Sequence, residues 1–294
     1  MLRENKPTLL LIYFFVWKLY PSRCIIIVMD TVKNKRFRME ENMNNKEYNE
    51  TTKKIIEKVG CKHQVFTQGS TGQEIEKAYF EALERGRKEG FSPVIVVSDD
   101  TLEEWFGILE DEDSYSKDDV LNSREAKEDG KEYLEQRYKE YIEDYLEDSG
   151  MDEEMEEMMG EMDEDELALE HFIAYQSYKG EGLEEVILFE IPVKNPWEIP
   201  AWLPMGGWNE CPAAEEMIAV AKYWYEKYGA VIATVSHDTL EFYVEKKVSD
   251  GEQAMELAKE QYSFCPDCVD QGVGTIGQLC ESIKNSNVWF FWWD

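Results

Sequence analysis

The sequence predicts an α/β protein: a mixed β-sheet flanked by helices, with an acidic, partly helical or disordered insertion. Three observations carry this. A helix–strand–helix order runs from 72 to 109. Two short apolar runs, 93–98 and 186–191, have the length and composition of buried strands. Two β-like runs, 230–236 and 239–245, are separated only by His237 and Asp238, as in a hairpin. With 43% apolar and 13% aromatic residues among 294, the chain has ample material for a core, which excludes wholesale disorder.

Taken in order, 46–59 reads as a polar helix with Ile55, Ile56 and Val59 inward and Gly60 as its stop. In 72–89, Ile75, Ala78, Tyr79, Ala82 and Leu83 draw one stripe, and Gly90 suits the left-handed cap. Asp100, with Glu103 three residues on, is expected to cap the helix carrying Leu102, Trp105, Phe106 and Leu109. A helical piece is expected near 130–147. Between Pro192 and Pro212 lie five of the nine prolines, so a rigid, non-helical loop is expected there. Pro212 then suits the first turn of a helix ending at Gly229. Ser249 and Glu252 suggest a capping box for a helix through Tyr262, Ile276–Ile283 a short helix, and Val288–Trp293 an aromatic strand. The strand near 94–98 is expected to pair with 186–191.

Charge divides the chain. Lys and Arg number 31 against 63 Asp and Glu, a formal charge of −32. Residues 99–170 alone hold 31 acidic and 6 basic side chains. The run from Met151 to Glu166 buries too little to offset its ordering entropy, so 110–170 is expected to be a solvated insertion. Residues 45–109 and 171–294 are then the amino- and carboxyl-terminal parts of one α/β unit. The charge opposes a nucleic-acid groove, which needs clustered Lys and Arg. The apolar run Leu9–Trp17 is broken by Lys18, Pro21 and Arg23, too soon for a membrane helix. No small-x-small site follows it. Residues 1–44 are therefore expected to be an extension, disordered or preceding a start at Met39 or Met43, and the protein cytoplasmic.

Four strings in the last third are distinctive: Ile199-Pro-Ala-Trp-Leu-Pro-Met-Gly-Gly-Trp-Asn-Glu-Cys-Pro212, Lys222-Tyr-Trp-Tyr-Glu-Lys-Tyr-Gly-Ala230, Glu260-Gln-Tyr-Ser-Phe-Cys-Pro-Asp267 with Asp270-Gln-Gly272, and the terminal Trp292-Trp-Asp294. In this order they resemble the bacterial family known as domain of unknown function 4253, from about Ile191 onward. The resemblance implies a bacterial, cytosolic setting and no particular reaction.

Sequences diagnostic of common enzymes are missing. There is no Gly-x-Gly-x-x-Gly, no Gly-Lys-Ser/Thr, no Gly-x-Ser-x-Gly and no His-Glu-x-x-His. Cys265-Pro-Asp-Cys268 has the spacing of zinc sites and dithiols; Cys211 and His237 would complete a zinc set, against a default of no cofactor and ordinary reduced thiols. Glu260, Asp267 and Asp270 suit acid–base work or turn formation. Ser98, Asp99 and Asp100 follow a buried strand, where α/β sheets place ligand crevices. Seven of the nine tryptophans fall after residue 196. Trp224 and Trp289 read as core. Trp208 beside Gly206-Gly207, with Asn209, Glu210, Asp267, Asp270, Trp292, Trp293 and Asp294, is the expected ligand or partner surface.

The function expected is a binding module, immunity- or antitoxin-like, with an acidic surface for a basic protein partner. The alternative is a metal- or carboxylate-dependent enzyme around Asp267 and Cys265.

Overall fold

The computed structural model describes residues 48–67, 69–111, 116–148, 158–160, 168–176, 184–203 and 205–294. The extension over 1–44 and most of the glutamate-rich centre of the insertion lie outside the described residues.

Local signals set the first elements. Helix α1 (Glu50–Val59) starts where the Asn49 side chain accepts the Thr52 N–H, and ends at Gly60 with φ 66°. Strand β1 (Lys62–Phe66) follows. Helix α2 (Gly72–Glu89) opens on a reciprocal capping box between Thr71 and Glu74 and closes at Gly90, φ 83°. After β2 (Ser92–Val97) comes α3 (Asp100–Asp111). Its cap is Asp99, whose Oδ1 accepts the Leu102 N–H at 2.7 Å, and not Asp100, which instead accepts from the Thr51 hydroxyl. Helices α4 (Lys117–Asn122) and α5 (Gly130–Asp148) lie within the acidic stretch.

Strand β3 (Val186–Ile191) leads into the proline-rich segment. That segment contains a 3-10 helix, Pro196–Trp202, contrary to the expected irregular loop. Pro196 starts it, where no N–H is needed, and i-to-i+3 bonding over so short a run tolerates Pro200. Helix α6 (Ala214–Tyr228) starts two residues after Pro212, with Glu216 accepting the Ala213 N–H at 2.8 Å. Strands β4 (Ala230–Val235) and β5 (Thr239–Val244) form the expected hairpin. Helix α7 (Gly251–Phe264) is capped by Asp250, not Ser249, because the Asp250 carboxylate reaches the Gln253 N–H at 3.0 Å. A π-helical turn (Cys268–Val273), α8 (Ile276–Ile283) and β6 (Val288–Trp292) complete the chain.

The six strands make one mixed sheet in the order β1-β3-β2-β4-β5-β6. β2 and β4 are parallel; the remaining pairs, including the anticipated β2–β3, are antiparallel. Alternation along the strands fills two cores. On one face Val94, Phe189, Ile232, Phe242 and Phe291 pack with α6, α7 and α8. Trp224, fully buried, stacks on Phe291 (centroids 5.6 Å, planes 12° apart) and meets Trp289 edge-on. Its indole N–H donates to Glu260, which also accepts from Tyr223 and pairs with Lys227. Glu260 thus serves the core and not an acid–base set. On the other face Ile95, Val97, Leu188 and Ala233 pack with Ile75 and Tyr79 of α2 and with Phe172 and Tyr175.

The acidic stretch is more tightly integrated than its composition suggests. Val120, Ala126, Leu134 and Met158 are buried, and α5 packs on α6 and α7. The approach is close: a Cβ on Gly130 would lie 2.3 Å from the Ala219 carbonyl oxygen. Acidic side chains take the outer face while an apolar stripe seats the helix.

Candidate functional site

Because β2 and β4 run parallel, the residues after both strands emerge at the same end of the sheet. Asp99 follows β2 and His237 follows β4. His237 Nδ1 lies 3.2 Å from Asp99 Oδ1, and Nε2 lies 3.4 Å from Asp238 Oδ2. The imidazole is half-buried. Desolvation lowers its pKa, but the two carboxylates outweigh this and hold it above the usual histidine value. Trp105 packs edge-on to both Trp208 (5.9 Å) and His237 (6.3 Å). Asp238 also accepts from the hydroxyls of Ser236 and Thr239 and from the Trp292 indole.

The residues expected to form a ligand surface are drawn together at this end, but largely onto one another. Asn209 Nδ2 donates to the Asp294 carbonyl at 2.7 Å, and the Asp294 N–H donates to Asp267 Oδ2 at 3.0 Å. Glu210 accepts from Arg137 at 2.6 Å and Tyr141 at 2.8 Å, bonds that hold its carboxyl below the usual range. Trp292 and Trp293 are 5% and 1% exposed, so burial removes both from any surface. Asp270 remains on the surface, its pKa pushed up to about 6 by partial desolvation and the neighbouring Asp267. The close backbone approach at Gly206 is to the chain itself. Its φ is 93°, and a Cβ there would meet the Pro212 carbonyl oxygen at 2.0 Å. These contacts chiefly tie down the carboxyl terminus.

Cys211, His237, Cys265 and Cys268 do not assemble as a zinc set. Among the described residues no group of three or more His, Cys, Asp and Glu side chains is placed to hold a metal ion. His237 faces carboxylates, and Cys211 is buried, which drives its thiol pKa upward. The Cys265 thiol donates to the Trp292 carbonyl at 3.0 Å and Cys268 to the Phe290 carbonyl at 3.5 Å. Both carbonyls belong to edge strand β6, so the thiols cap a sheet edge.

A cavity lies elsewhere, around β6 and the start of α2. It measures about 600 Å³ and is bounded by Thr71, Gly72 and Glu76 of the α2 entry, by 168–176, by Gln261 of α7, by Leu279, Ser282 and Ile283 of α8, and by Val288 and Phe290. Its wall is chiefly apolar, with a few polar groups. Gln261 is 1% exposed, and its amide Nε2 has no hydrogen-bond partner. The Tyr175 hydroxyl is likewise buried and unpartnered.

Two carboxylates fasten 168–176 across the sheet. Glu76 accepts the Phe172 N–H at 2.9 Å and pairs with His171 at 3.0 Å. Glu241 of β5, fully buried, accepts the N–H groups of Ile173 at 2.7 Å and Ala174 at 3.3 Å. Burial drives its pKa to about 7, against the lowering effect of those N–H groups. Its other oxygen, Oε2, is unpartnered. Sequence reading missed Glu76, Gln261 and Glu241. No local signal marked the last, since Thr239, Glu241 and Tyr243 alternate with apolar residues along β5.

No helix among the described residues is long and apolar enough to cross a membrane. Residues 187–294 match the family model described as a domain of unknown function, DUF4253, the region singled out by its motifs. No curated protein and no solved structure matches the chain.

Proposed function

We propose that the chain is a ligand-binding module, and that its ligand is a small, mostly apolar molecule carrying a carbonyl or carboxylate acceptor. The observation that carries this reading is the Gln261 amide, a buried donor without a partner in the wall of a 600 Å³ cavity. Leaving such a donor unpaired costs about 1–3 kcal/mol, a cost an acceptor on the ligand removes. The first turn of α2 also borders the cavity, and the N–H groups of a helix start favour an acceptor. A cytoplasmic setting agrees with this reading, because Cys265 and Cys268 act as donors only while reduced.

The test is a thermal-shift screen of aliphatic and aromatic acids, ketones and amides, read in parallel on wild type, Gln261→Leu and the cavity-filling Leu279→Trp. Compounds that stabilise wild type and lose this effect in both variants support the reading. Stabilisation that persists in Leu279→Trp, or none across the panel, counts against it.

A further inference from the structure

We propose that Cys268 and Cys265 form a dithiol–disulfide couple that reacts through the cavity, Cys268 attacking first and Cys265 resolving. The two sulfurs lie 3.3 Å apart in a tight turn, with the Cys268 N–H donating to the Cys265 carbonyl. A disulfide bond is about 2.05 Å long, a difference that side-chain rotation spans. The two thiols are not equivalent. Cys268 lines the cavity and is held by the longer of the two carbonyl contacts. Cys265 is wholly enclosed behind it, bonded to Trp292 at 3.0 Å, and burial keeps its thiol protonated. A small reagent entering the cavity therefore meets Cys268 first.

The co-reactant is a small organic disulfide. The Cys268 sulfur attacks one sulfur of it; the reagent's S–S bond breaks, a mixed disulfide forms, and the first thiol leaves with the Cys268 proton. The Cys265 sulfur then attacks the Cys268 sulfur of that mixed disulfide. The second thiol leaves with the Cys265 proton, and the protein disulfide remains. The protein loses two electrons and two protons, and the reagent is reduced to two thiols. Once bridged, neither sulfur has a proton to donate, so the thiol bonds to the Phe290 and Trp292 carbonyls at the edge of β6 are lost. Phe290 also walls the cavity, which couples the redox state to that wall. The inference stands on the cavity as a route and not on any natural ligand.

The experiment treats native full-length protein with hydroxyethyl disulfide, quenches in acid, alkylates free thiols and cleaves on the amino side of Asp267. That cut separates the two cysteines unless they are bridged. Wild type is expected to yield joined fragments. Cys265→Ser is expected to retain a mercaptoethanol adduct on Cys268, and Cys268→Ser to leave Cys265 unmodified. Half-buried Cys61 reports that the reagent is active. The proposal is overturned if wild-type fragments separate with both thiols alkylated while Cys61 has reacted. It is also overturned if Cys265 in Cys268→Ser takes the adduct as readily as Cys268 in Cys265→Ser. Should either substitution prevent folding, the wild-type arm decides alone.

Discussion

Glu241 accepts the main-chain N–H of Ile173 at 2.7 Å, across 68 residues of chain, from inside the sheet face that α2 covers. A carboxyl there gains two backbone donors but loses water. Burial outweighs them, and the group titrates at about 7 instead of 4.5.

The first prediction follows from the sign of that shift. Between pH 4.5 and about 7 the folded state binds the proton more tightly than the unfolded chain. Stability therefore falls as pH rises through this window, by on the order of 3 kcal/mol. Glu241→Gln keeps an acceptor for the Ile173 N–H and removes the charge. It should flatten the pH dependence of urea unfolding between pH 5 and 8 and raise stability at pH 8. An unchanged slope would mean that Glu241 does not carry this titration.

Gln261 supplies the second. Its buried amide has no partner within the protein, and leucine at this position removes that cost. Gln261→Leu should stabilise the ligand-free protein by about 1 kcal/mol in chemical denaturation. A variant that is instead destabilised by that amount would show that the amide is satisfied in solution.

The third contrasts two adjacent glycines. Gly206 and Gly207 both have positive φ, but only Gly206 would place a Cβ against backbone; Gly207 has open space. Gly206→Ala should cost about 3 kcal/mol or more, and Gly207→Ala roughly 1 kcal/mol, the left-handed penalty alone. Equal losses would put the close approach elsewhere.

The helices were legible because the signals that make them are local. Gly60, Gly90 and Gly229 act within one turn of a helix end. Caps shifted by a residue where two suitable side chains adjoin, as at Asp99–Asp100 and Ser249–Asp250. The acidic stretch misled because composition conceals pattern. Leu134 is buried, and Tyr138, Tyr141 and Ile142 pack against the same core, at the spacing of one helical face. The cavity was not legible. It needs 168–176 laid over β5 and β6, and no local signal announces a contact between segments so far apart. Along β5, Thr239, Glu241 and Tyr243 alternate with Leu240, Phe242 and Val244, the pattern of a half-solvated strand. Cover from a distant segment makes Glu241 a buried acid. The Cys265–Cys268 spacing was visible, but its service to the edge of β6 depends on where the chain end returns.

The fourth prediction concerns the Asp99–His237 pair. The two carboxylates hold the imidazolium more tightly than solvent does, so the folded pKa lies above the ordinary 6.5. The pair's contribution is then fully present below pH 6.5 and is lost as pH rises through the folded value. Asp99 also caps α3, so alanine there would confound charge with capping. Asparagine caps about as well as aspartate, and Asp99→Asn therefore isolates the charge. In ring-proton NMR titration His237 should titrate above 6.5 in wild type and at lower pH in Asp99→Asn. Asp238→Asn should move the midpoint the same way, because that carboxylate faces the other ring nitrogen at 3.4 Å. If neither variant shifts the midpoint, the carboxylates are not what holds the proton, and the cluster after β2 and β4 loses its electrostatic basis.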